Sequence, residues 1–146
     1  MKAHDTLVLA ALLVAALASS TAHTQQLVDV HGQHATIKLQ QTVFGHLAEL
    51  NGKYQLRVSG ETFNPGASVG PHHHAGPGIR CITVGELTYI AAGTTTIYRP
   101  GDCFYEAGDM AHEARNTTAT LVVLLNFEIL PASWSGGSLI PVPTPK

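Results

Sequence analysis

Charged side chains are scarce in this 146-residue sequence, which has 8 Lys and Arg, 10 Asp and Glu, and 12% charged residues in all. The formal net charge of -2 provides no cationic field, which argues against nucleic acid and anionic lipid as partners. Aromatic residues (6%) and cysteines (two) are also few. The length allows about one domain, and the 45% hydrophobic content indicates a packed core. Histidine, in contrast, occurs nine times.

The first residues have the pattern of a secretory signal peptide. Lys2 precedes an apolar run over residues 7–18, and the small residues 20–22 suit cleavage after Ala22. A run of this length spans only about 18 Å as a helix, short of the roughly 30 Å bilayer core. We therefore expect a signal peptide at 1–22, a secreted or periplasmic protein, and no membrane anchor after cleavage. A buried N-terminal helix is the alternative.

Export changes what the two cysteines can do, because an oxidising compartment permits a disulfide between Cys81 and Cys103. Both residues fall in apolar, strand-like stretches. Two unconnected buried thiols are therefore an equally open interpretation.

Strand signals recur along the chain and helical signals are rare. Asn51-Gly52 between apolar flanks predicts a hairpin within residues 47–58. Further strands are expected within residues 37–44, 79–92, 94–98, 103–106 and 118–130, with turns at 64–66 and 76–78. This pattern predicts a single all-β sandwich or barrel domain over residues 37–130. An N-terminal arm (23–36) precedes it, and an extended tail rich in Pro, Gly and Ser (131–146) follows.

The candidate chemistry lies in a histidine cluster. His72 and His74 occupy alternate positions, so on a strand they face the same side while His73 points away. His112 follows 38 residues after His74, beyond a Gly-Asp turn. Imidazoles that converge in this way are typical ligands of a divalent metal ion.

These histidines and the glycines around them resemble the two motifs of the cupin superfamily, whose members are antiparallel jelly-roll β-barrels that often hold one metal ion. The first motif is matched by Gly66, His72, His74 and Gly85, and the second by Gly101, His112 and Asn116. The sequence departs from the pattern at three positions. Gly78 stands in the glutamate position of the first motif, while Ala107 and Asp109 replace the Pro and Gly of the second.

The resemblance implies metal ligation by His72, His74 and His112, and association as a homodimer. Without the glutamate, three neutral imidazoles leave the ion its full +2 charge, which favours a small, anionic, chelating substrate. Such a face resembles the iron sites of some cupin dioxygenases. We expect Fe, with Mn, Ni, Cu or Zn as alternatives.

Two charged residues are candidate catalytic groups. Glu106 is expected either to substitute for the missing carboxylate, or to face solvent, or to accept a hydrogen bond from a ligand histidine and so orient its ring. Arg80 is expected on the inner face, where it could clamp a carboxylate substrate, unless it lies in a surface ion pair or a bulge disturbs the alternation.

Three functions remain open at this point. An exported metal-dependent dioxygenase is the first, with Arg80 or Glu106 assisting orientation or proton transfer. A redox-neutral isomerase or lyase would need the same ligands. A non-catalytic cupin that binds a metal or a metabolite is the third.

Overall fold

The computed structural model describes residues 27–143. The predicted signal peptide lies outside these residues. Within them all regular structure is β: β1 (Val30–Thr42), β2 (Tyr54–His74), β3 (Gly78–Val84), β4 (Leu87–Ala91), β5 (Thr94–Tyr98), β6 (Cys103–Glu106), β7 (His112–Arg115), β8 (Val122–Pro131) and β9 (Leu139–Pro141). No helix in this part of the chain is long and apolar enough to cross a membrane.

The strands form one antiparallel sheet that curls into a nearly closed barrel. Its order is β5-β4-β7-β2-β8-β3-β6, and β1 and β9 also pair with β2. This is the all-β antiparallel jelly roll that the sequence predicts.

Strand β2 holds the barrel together because it belongs to both halves. Its residues 54–63 pair with β8, whereas its residues 68–74 pair with β7 and β9. The predicted turn at residues 64–66 is a bend inside this continuous strand, where Gly66 has a φ of 76°. His72 and His74, the two predicted metal ligands on β2, therefore lie on the C-terminal side of this bend.

The first hairpin is longer than the sequence predicts. β1 pairs with β2 from Val30 to Thr42, and residues 43–53, including Asn51-Gly52, form the connecting loop. The prediction of a strand beginning at residue 47 is wrong, because residues 47–50 form hydrogen-bonded turns instead.

The sheet extends beyond the predicted barrel limits of 37 and 130. β1 begins within the predicted N-terminal arm. In the predicted tail, β9 pairs with β2 in the register His72↔Pro141 and His74↔Leu139. The C-terminal segment is thus placed directly beside the histidine-bearing strand.

Cys81 and Cys103 form a disulfide between β3 and the edge strand β6, where they are direct cross-strand partners. This resolves the alternative that the sequence left open.

The barrel interior is apolar in one half and polar in the other. The apolar cluster comprises Phe63, Ala67, Val69, Ile82, Leu87, Tyr89, Phe104, Ala114, Val122 and Leu124. Buried polar residues in the other half include Gln55, Arg57, Ser59, Arg80, Glu106, Asn126 and Glu128.

Apolar side chains that alternate with these polar residues face outward. The exposed ones around β3 and β8 include Leu39, Leu56, Ile79, Tyr105, Phe127 and Ile129. The homodimer stays a prediction.

Asn116, the last matched residue of the second motif, fastens the bend of β2 to the loop after β7. Its side-chain amide donates to the carbonyls of Phe63, Asn64 and Thr120, and its Oδ1 accepts from the backbone N–H and hydroxyl of Thr118. It is only 1% exposed.

Replacing Asn116 with Ala is expected to destabilise the fold by about 3 kcal/mol, because buried carbonyls would lose their donor. Urea unfolding of N116A against wild type measures this difference. The exposed neighbour provides a control, since T117S keeps the hydroxyl that contacts Thr88 and should change the free energy of unfolding by less than about 0.5 kcal/mol. Equal stability of N116A and wild type would contradict the structural role.

Candidate metal centre

The structure brings the three predicted histidines together inside the barrel. His72 and His74 lie at the end of β2, and His112 at the start of β7 is the direct cross-strand partner of His72. All three are buried, and one nitrogen from each ring lies within 4.8 Å of the others. His73 lies between the two β2 ligands and is less buried, as strand alternation predicts.

Hydrogen bonds fix the orientation of each ring. The Nδ1–H of His72 donates to the carbonyl of Gly70 over 2.7 Å, and that of His112 donates to the carbonyl of Met110 over 2.9 Å. Because a carbonyl only accepts, both Nδ1 atoms carry the proton. Nε2 is therefore the nitrogen through which these two rings would bind a metal ion.

His74 is oriented through a hydroxyl relay. Ser138 donates its hydroxyl proton to Glu128 Oε1 and accepts the Nδ1–H of His74 over 3.2 Å. Glu128 is fixed in turn by Arg57, whose Nη2 lies 2.9 Å from its Oε2. Arg57 also donates to the carbonyl of Gly136, so the C-terminal segment and the relay are held together.

A carboxylate lies beside two of the three imidazoles. Glu106 Oε1 lies 3.1 Å from His112 Nε2, and Glu106 Oε2 lies 3.1 Å from His74 Nε2. The face is therefore not made of imidazole alone. The expectation that a bound ion keeps its full +2 charge assumed that no carboxylate lies beside it. The three imidazoles, with Glu106 beside two of them, suit Fe, Mn, Ni, Cu or Zn.

The position of Glu106 explains the glycine at the family's glutamate position. Gly78 on β3 is the direct cross-strand partner of Glu106 on β6. A Cβ at Gly78 would lie 2.0 Å from Arg80 Nη1 and 2.6 Å from the carbonyl oxygen of Phe127. A side chain at 78 would collide with both groups, and the adjacent strand places the Glu106 carboxylate at this level of the barrel.

Arg80 lies on the inner face and is buried, so it is neither at the rim nor in a surface ion pair. Its Nη2 lies 2.7 Å from Glu106 Oε2 and 3.5 Å from Glu128 Oε1. With two carboxylates already beside it, Arg80 serves as an internal counter-ion that positions Glu106. Its Nη1 has no hydrogen-bond partner among the described residues, and the role of a clamp for a substrate carboxylate stays a prediction.

In the metal-free site, hydrogen bonds from His112 and His74, together with the charge of Arg80, keep Glu106 ionised. Burial alone would raise its pKa, but the side chains of His112, His74 and Arg80 outweigh this effect and hold the pKa below its ordinary value. Ionised Glu106 would lower the net charge of a bound divalent ion from +2 to +1.

A cavity of about 250 Å³ adjoins the candidate metal centre. Its apolar wall includes Phe63, Val69, Leu87 and Leu124, and Tyr89 packs against His112 with ring centroids 4.9 Å apart. The opposite wall is polar and includes Glu61 and Asn126. The space suits a small molecule.

Sequence reasoning missed the residues that support the site. Glu128 and Arg57 lie in alternating strand patterns whose inward face is not marked by local sequence, and Ser138 lies in the predicted tail. Local sequence carries no signal that singles out these three residues.

Comparisons with known proteins agree with this architecture. Residues 60–128 match the profile of the cupin domain family. The structure is similar to a cupin domain from Bordetella pertussis (18% identity, TM-score 0.50, covering 69% of this chain and 96% of that one). It is also similar to a double-stranded β-helix protein from Klebsiella pneumoniae (17%, 0.53, 75% and 85%) and to the polyketide cyclase RemF from Streptomyces resistomycificus (11%, 0.57, 78% and 75%).

No curated protein matches the sequence. At these identities the solved structures establish the cupin fold alone. Together with the matched profile, they support the cupin superfamily that the histidine motifs resemble.

Substituting Ser138 with Ala is expected to weaken metal binding about 10- to 100-fold, because His74 would lose the partner that sets its tautomer and ring angle. Isothermal titration of metal-free protein with Zn²⁺ measures the effect. The exposed Ser135 in the same segment is the matched control, and S135A should bind like wild type. Wild-type affinity in S138A would rule out the relay.

The metal-free protein is expected to lose stability as pH falls from about 6.5 towards 3. Burial, reinforced by the nearby His112, lowers the pKa of His72 from its ordinary value of 6.5 to about 3. The unfolded chain therefore binds a proton at this residue before the folded chain does, which favours unfolding in that range. Urea unfolding at pH 7 and pH 5 should show a smaller loss for H72Q than for wild type. H73Q is the control and should keep the wild-type loss.

Proposed function

We propose that this protein is an exported metalloenzyme of the dioxygenase type that binds one divalent ion and acts on a small molecule in the adjoining cavity. The observation that carries this proposal is the convergence of three oriented imidazoles and Glu106 beside a cavity of about 250 Å³. His72, His74, His112 and Glu106 would hold the ion.

A donor set that combines imidazole with a single carboxylate favours a redox-active ion such as Fe(II), which would supply electron transfer between the substrate and dioxygen. The chain's own residues have separate tasks. The Nδ1 hydrogen bonds fix the three rings, and Arg80 keeps Glu106 turned towards them. The apolar wall limits access of water to the reacting group.

Burial of the site supports a catalytic rather than a storage role. His72, His74, His112 and Glu106 are all at least nine-tenths buried, so any ligand must enter the cavity to reach them. The disulfide between Cys81 and Cys103 supports export, because such bonds persist in oxidising compartments.

Elemental analysis tests the ligand set. Wild-type protein reconstituted with Fe(II) without oxygen is expected to bind about one equivalent, while H72A and H112A should lose most of it and E106Q should bind at least 10-fold more weakly. The neighbouring H73A variant is the matched control and should retain the metal. Equal metal content in wild type, H72A and H112A would refute the assignment.

Oxygen consumption then tests the chemistry. Iron-loaded wild type is expected to consume dioxygen with some member of a panel of diketones, phenolic acids and thiols, and H112A is expected not to. Stabilisation of the protein by panel members without any oxygen uptake would instead favour a non-catalytic binding module.

A further inference from the structure

One cavity-lining carboxylate has no cationic partner. Among the described residues, the cavity contains the carboxylates of Glu61, Glu106 and Glu128. Arg80 and Arg57 pair with Glu106 and Glu128. No Lys, Arg or His nitrogen in residues 27–143 lies within 4.0 Å of Glu61, which is thus the unpaired acid of the interior.

The immediate neighbours of Glu61 are neutral amides. Asn126 Nδ2 donates to Glu61 Oε1 over 2.8 Å, and Gln33 Nε2 donates to Glu61 Oε2 over 3.3 Å. An ionised carboxylate accepts about four hydrogen bonds, so capacity remains on both oxygens. Burial raises the pKa of Glu61 above its ordinary value, and the charge of Arg80, which lies beyond 4.0 Å, offsets this only in part. A cation in direct contact with Glu61 would favour its ionised form.

Asn126 supplies a second acceptor at the same place. Its side chain is only 2% exposed, and its Oδ1 receives no hydrogen bond from the described part of the chain. Buried amide oxygens in folded proteins nearly always have a donor. Glu61 and Asn126 are therefore adjacent groups with unused acceptor capacity that line the cavity.

The location of these acceptors is open to a ligand. The cavity is lined at one end by exposed residues of β1 and the C-terminal segment, namely Ala35, Ile37, Gly136 and Gly137, which mark its mouth. Glu61 is more exposed than the fully buried histidines. The next inward residues on the same strands are Phe63 and Leu124, whose apolar surfaces suit methylene groups.

We propose that Glu61 and Asn126 form a subsite for an ammonium group. A protonated primary amine would pair with the Glu61 carboxylate and donate to Asn126 Oδ1, which satisfies both acceptors. Combined with the proposed metal function, on which this step rests, the substrate is a small molecule with a metal-chelating group at one end and a primary amine at the other.

Amine binding can be measured on the metal-free protein, which separates this inference from the metal proposal. Propylamine, 1-propanol and propionate are titrated at pH 7 and followed by NMR. Wild type is expected to bind propylamine at least 10-fold more tightly than either of the others. An affinity for propanol or propionate that equals that for propylamine would overturn the inference.

Variants of Glu61 locate the binding. E61Q is expected to lose the preference for propylamine, and E61D, which keeps the charge, to retain part of it. E49Q alters an exposed loop carboxylate and should behave as wild type. The iron content of E61Q should equal that of wild type. If wild type bound propylamine but no metal, only the metal proposal would be refuted. Undiminished amine affinity in a folded E61Q would refute the subsite.

Discussion

The candidate site depends on how the charge of Glu106 is balanced inside the barrel. A buried carboxylate is costly unless cations or hydrogen-bond donors surround it. Here Arg80 lies on one side of it and two imidazoles on the other. Removing the guanidinium would leave the acid uncompensated, and removing the acid would leave the guanidinium with Glu128 alone. The carboxylate and its counter-ion therefore have to be considered as one unit, and the glycine at position 78 gives that unit its space.

Strand patterns predict an all-β barrel, whereas the jelly roll and the third imidazole follow from the resemblance to the cupin motifs. His72 and His74 share a face through strand alternation, and His112 lies at the motif spacing. The role of the Glu106 carboxylate does not follow from local sequence, because whether Glu106 faces Gly78 depends on the register of β3 with β6. The contact between Ser138 and His74 likewise depends on strand pairing that local sequence does not show. A segment rich in Pro, Gly and Ser gives no local sign that its hydroxyl will accept the Nδ1 proton of a histidine on β2.

Local sequence also does not show which face of β2 points into the barrel. Tyr54, Leu56 and Val58 alternate with Gln55 and Arg57, which predicts a strand but not which face is inside. The usual expectation that apolar residues face the core would be wrong here, since Gln55 and Arg57 are buried and Leu56 is exposed. The buried polar side chains have partners that come from far along the chain, such as Trp134 and Gly136 for Gln55 and Arg57. Only the closed barrel supplies those partners. The arrangement with polar side chains inside and apolar side chains outside is therefore stable only in the tertiary structure.

The disulfide has a consequence for how the site assembles. Cys81 follows Arg80 directly, and Cys103 lies three residues before Glu106. In the oxidised chain these two charged residues remain close in space even when the strands are separated, so part of the entropy of bringing them together is already lost in the unfolded ensemble. The disulfide, which is not itself part of the site, thus favours contact between Arg80 and Glu106 before the sheet has closed around them.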